Sequence, residues 1–114
     1  MNLNRRSIVL LGIISFVLSA GTAQAVDTKK LLEKNCVQCH GTDGKGLTKM
    51  ALKLTIPDLT DPKTLAKFTD EELLKRVKEG VKDADGKFTM KPVENLKDSE
   101  IKALIGHVRT LKAQ

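Results

Sequence analysis

Three segments of the chain place apolar residues at helical spacing. In "DSEIKALIGHVRTLK", Ile101, Leu104, Ile105, Val108 and Leu111 recur every three or four positions, which gathers them on one face of an α-helix. "TDEELLKRVKEG" is the most fully punctuated helix. Thr69 and Glu72 have capping-box spacing, Asp70 and Glu71 suit the positive end of the helix dipole, and Gly80 supplies a stop after the stripe Leu73, Leu74, Val77. "VDTKKLLEKNCVQCH" predicts a first helix capped by Asp27 or Thr28, with Leu31, Leu32 and Cys36 on one side. Between these helices the pattern fails. "GTDGKGLTKM" reads as a glycine-punctuated loop, and "ALKLTIPDLTDPK" as a short helical turn to Leu54 interrupted by Pro57 and Pro62. "VKDADGKFTMKPVENL" reads as an irregular stretch turning at Asp85–Gly86. No segment alternates with period two, so the expectation is an all-α domain. Its two long irregular stretches must pack on something.

The first 25 residues follow a different rule. "MNLNRRSIVLLGIISFVLSAGTAQA" has a basic start at Arg5 and Arg6, an apolar run from Ile8 to Leu18, and Ala23 and Ala25 around Gln24. This is the layout of a secretory signal, with cleavage expected after Ala25 and residues 26–114 left as one domain. The apolar run is shorter than the roughly 20 residues that span a bilayer, so no lasting membrane insertion is expected. The mature domain is small and keeps only Phe68 and Phe88 as aromatics, a poor stock for a hydrophobic core. The formal net charge is +6, and loss of Arg5 and Arg6 leaves +4, mostly dispersed lysine. With no basic block and almost no stacking rings, nucleic-acid binding is not expected of an exported domain. A mildly basic surface suits an acidic protein partner or an anionic membrane surface, and ordinary solvated lysines account for it at least as well.

Both cysteines of the chain lie in "CVQCH", residues 36–40. A disulfide closing so short a loop would gain little entropy, and a redox dithiol of the thioredoxin kind needs a βαβ context that is missing. Zinc needs four ligands, and Cys36, Cys39, His40 and His107 match no common zinc spacing. C-x-x-C-H is a c-type haem attachment pattern. On a helix Cys36 and Cys39 share a face, so both sulfurs can reach the two vinyl groups of one porphyrin, and His40 follows on the same side to meet the iron. One covalent haem c is therefore expected. The candidates for the sixth iron ligand are Met50, Met90 and His107. Met90, in "FTMKP" between two helices, is the strongest, because a loop can bring its thioether over the other haem face. Met50 and His107 read better as packing residues.

The chain resembles the class I monohaem cytochromes c, in particular the small bacterial periplasmic ones. The likeness covers essentially all of residues 26–114. It rests on "CVQCHGTDGKG", "PDLTDP", "TDEELLKRVKEG", "FTMKPVENLKDSEI" and "ALIGHVRTL". It implies a cytochrome c-like fold, Cys36 and Cys39 as thioether residues, His40 as proximal ligand and Met90 as distal ligand. Pro57 is implied as the residue whose carbonyl accepts the proximal imidazole N–H. Two positions depart from the pattern. His107 stands where the family often has an aromatic residue, and Lys97 stands at a capping position, so that Asp98 is expected to cap one residue later.

The expected function is periplasmic single-electron transfer by a monomer, not enzymatic catalysis. Lys34, Lys45, Lys49, Lys87 and Lys91 form the expected docking surface for redox partners with acidic faces. The alternatives are a haem subunit of a larger redox complex, or a haem enzyme or sensor that binds a small ligand when methionine leaves. "GTDGKG" lacks the ending of a phosphate loop, and "DADG" lacks the remaining ligands of a calcium loop.

Overall fold

The computed structural model describes residues 25–112, together with Phe16 and Gly21. The segment read as an export signal, residues 1–25, otherwise lies outside the described residues. The elements run α1 (Thr28–Asn35), α2 (Val37–His40), α3 (Lys49–Leu54), α4 (Pro62–Ala66), α5 (Asp70–Glu79), β1 (Val81–Lys82), β2 (Phe88–Met90) and α6 (Asp98–Thr110).

Helix α6 organises the packing. It lies against α1 and α5, while α2 packs on α1 and α3. The apolar stripe read from the sequence is the face it buries: Ile101, Leu104 and Ile105 are buried, as is Leu32 of α1. Each such side chain removed from water contributes about 1.5–3 kcal/mol. On α5, Leu73, Leu74 and Val77 are only half-buried. The α5 capping box forms as its sequence dictates, with the Thr69 hydroxyl accepting from the Glu72 amide and the Glu72 carboxylate accepting from the Thr69 amide. At α6 the expectation of Asp98 as cap is corrected. Lys97 is the flanking residue, and its amide donates to the Glu100 carboxylate at 2.8 Å. Asp98 lies within the first turn and pairs with Lys78 at 2.8 Å.

Three elements differ from expectation. The first helix is interrupted at Cys36, where φ −122° and ψ −37° leave the helical region, so α1 and α2 are separate. Pro62 does not merely interrupt; it opens α4, where a proline loses nothing because a first-turn amide has no intrahelical partner. The irregular stretch after Gly80 contains an antiparallel hairpin. Val81 lies opposite Met90 and Lys82 opposite Phe88, with an irregularity between the two pairs. Strands of two and three residues are too short for alternation to show.

Candidate haem-attachment site

Cys36 joins two helices. Its amide donates to the Leu32 carbonyl at 2.8 Å, finishing α1, and its carbonyl accepts from Cys39 at 3.1 Å and His40 at 2.9 Å, starting α2. The turn therefore gathers Cys36, Cys39 and His40 within one short helical segment. Both cysteines are free thiols and half-buried. Burial, and secondarily the neighbouring Cys39, pushes the Cys36 thiol above its ordinary value, so it stays protonated near neutrality. Burial pushes the His40 imidazole below its ordinary value, which leaves it neutral and able to offer a lone pair.

The segment after His40 folds back on this turn. Gly46 donates its amide to the His40 carbonyl at 2.9 Å, and the Thr48 hydroxyl donates to the Cys39 carbonyl at 2.6 Å. The same Thr48 oxygen accepts from the Ala51 amide at 3.0 Å, capping α3. Two carbonyls at the C-terminal end of α2 are thus satisfied by one loop, which holds the backbone of the turn that carries His40. These supports were missed in the sequence, although a threonine directly before "KMALKL" is an N-cap signal. The Pro57 carbonyl does not accept from the His40 imidazole here. His40 Nδ1 is buried with no hydrogen-bond partner, so it does not reach Pro57. Pro57 is exposed, and its carbonyl lies 3.4 Å from where a Cβ on Gly46 would stand.

Met90 comes from a different element, half-buried at the end of β2. Of the other sixth-ligand candidates, Met50 is exposed in α3, and His107 is half-buried in α6, its carbonyl accepting from the Thr110 hydroxyl at 2.6 Å. Among the described residues no three His, Cys, Asp or Glu side chains converge to hold a metal ion on their own, so the four-ligand zinc alternative is not assembled. A c-type haem fits what is present. Two unpaired thiols three residues apart adjoin a neutral imidazole whose buried Nδ1 no protein group satisfies.

The Cytochrome c family profile matches residues 25–112. The chain belongs to the cytochrome c family. Among solved structures it is similar to KustC0563, a c-type cytochrome, at 32% identity and a TM-score of 0.65, over 77% of this chain and 100% of that one. It is also similar to a tyrosine-to-phenylalanine mutant of Kustc0563, at 33% identity and a TM-score of 0.62, over 76% of this chain and 100% of that one. No curated protein sequence matches. Family membership makes the chain a haem-binding electron-transfer protein, with a covalently attached c-type haem and redox proteins as partners. Among the described residues no helix of this cytochrome is long and apolar enough to cross a membrane.

Proposed function

We propose that this cytochrome is an exported, monomeric single-electron carrier of the periplasm, made as a precursor whose residues 1–25 are removed. It holds one haem through thioethers from Cys36 and Cys39, with His40 and Met90 as axial ligands. When bound, the haem iron supplies a one-electron ferric–ferrous couple whose potential a methionine ligand raises. The carrying observation is the Cys36–His40 turn, where free thiols and an unsatisfied neutral imidazole stand together.

Each residue has one task. The cysteines make loss of the cofactor a covalent matter, and the bonds from Gly46 and Thr48 hold the turn that aims His40. Met90 would supply the iron's second protein ligand, which would leave no open position for a substrate and would separate a carrier from an enzyme or sensor. Lys34, Lys49, Lys87 and Lys91 are exposed and Lys45 is half-buried, and none of the five is engaged in an ion pair among the described residues. Unpaired ammonium groups of this kind attract an acidic partner face.

Carbon monoxide added to the reduced holoprotein tests the reading. The wild type should bind it little and show the weak charge-transfer band of an iron–thioether bond. Met90→Ala should lose the band and bind carbon monoxide fully. Rapid, complete binding by the wild type would instead favour a ligand-binding enzyme or sensor. Purification only as part of a larger assembly would favour a complex subunit.

A further inference from the structure

We propose that Gly80 is a positioning residue for Met90, a proposal that rests on the reading of Met90 as axial ligand. Gly80 closes α5, donating its amide to the Arg76 carbonyl at 2.8 Å, and adopts φ +77° and ψ −178°, a region essentially reserved for glycine. Ending a helix would account for a glycine here. It would not account for what faces it. A Cβ on Gly80 would stand 2.6 Å from the Met90 carbonyl oxygen, 2.8 Å from Pro92 Cδ and 2.9 Å from Pro92 N. Two of these three atoms are backbone and cannot rotate aside, and the third belongs to a rigid ring.

The segment pressed on Gly80 is held on both sides. Met90 pairs with Val81 in the hairpin, and the Val93 amide donates to the Val77 carbonyl of α5 at 2.8 Å. Residues 90–93 therefore lie flat on the end of α5, and the absent side chain at position 80 sets how closely they approach. Any Cβ there must lift the backbone of Met90 off the helix and carry the thioether with it. An axial ligand is sensitive to this because an iron–thioether bond is weak and depends on the protein to hold the sulfur in place. Gly86 is the natural control. It has a comparable positive φ of +79°, but a Cβ there would meet nothing within 4 Å.

The test compares the holoproteins Gly80→Ala, Gly86→Ala and Met90→Ala, made in cells that attach c-type haem. The readouts are the charge-transfer band, carbon monoxide binding to the reduced form, and the reduction potential. Gly80→Ala is expected to lose most of the band, bind carbon monoxide and shift to lower potential, while Gly86→Ala matches the wild type in all three. Retention of the band in Gly80→Ala, or its equal loss in both glycine variants, overturns the proposal. Retention of the band in Met90→Ala overturns the axial-ligand reading and this proposal with it, whereas loss there with retention in Gly80→Ala sinks this proposal alone. Should Gly80→Ala not fold, Pro92→Ala decides. It removes the ring carbon that faces the Cβ position of Gly80 and so loosens the Met90 segment there without straining α5; carbon monoxide binding should speed up, and an unchanged rate overturns the proposal.

Discussion

Thr48 uses one oxygen twice, donating to the Cys39 carbonyl at 2.6 Å and accepting from the Ala51 amide at 3.0 Å. Valine has nearly the same shape and can do neither. Thr48→Val should therefore leave the Cys39 carbonyl without its partner and α3 without its cap, costing about 1–2 kcal/mol. Urea unfolding of the holoprotein measures this, and an unchanged midpoint would show that water replaces the hydroxyl at no cost. The same residue shows the limits of reading the chain alone. Cys36, Cys39 and His40 stand out as candidates in the sequence because the pattern lies within five consecutive residues. Thr48 acts on a carbonyl nine residues away, and Met90 lies fifty residues beyond His40. No local pattern records such distances. Loop placement favoured Met90 over Met50 and His107, and the family resemblance strengthened that choice.

At the scale of elements, α6 is fastened by more than its apolar face. Arg109 reaches Asp70 at 2.8 Å through Nε and the Phe68 carbonyl at 2.9 Å through Nη2, joining α6 to the start of α5 and the turn before it. Asp70 is largely exposed, so the charge pair itself is worth at most about 1 kcal/mol. The planar fork supplies the rest, because one guanidinium serves a carboxylate and a carbonyl together. Arg109→Lys keeps the charge and loses the fork, and should lower stability by about 1 kcal/mol in thermal unfolding. Asp70→Asn should cost less, and the reverse order would mean that charge dominates. Helices α5 and α6 were readable because each carries a long stripe or a full set of caps. The hairpin was not readable because strands this short offer no period, and its pairing of Val81 with Met90 depends on the turn between them. The break at Cys36 was missed for a related reason. Helical spacing continues through "NCVQCH", and only the backbone angles reveal the two segments.

For the whole molecule, the question is what a domain of this size condenses upon. Among the described residues the buried apolar set is Leu32, Ala51, Leu65, Ile101, Leu104 and Ile105, with Thr60 also buried. Leu47 and Leu52 remain 71% and 70% exposed. This is a modest core for a small domain, and such domains commonly draw stability from a staple or a cofactor. The haem held by Cys36 and Cys39 is proposed to be that element, with helices α1, α5 and α6 as the frame around it. The most direct measurement is the intact mass of the protein purified under denaturing conditions from cells that attach c-type haem. The expected mass is that of residues 26–114 plus one haem, unchanged by extraction that removes non-covalent haem. A folded protein with the bare mass of the chain would contradict covalent attachment at Cys36 and Cys39.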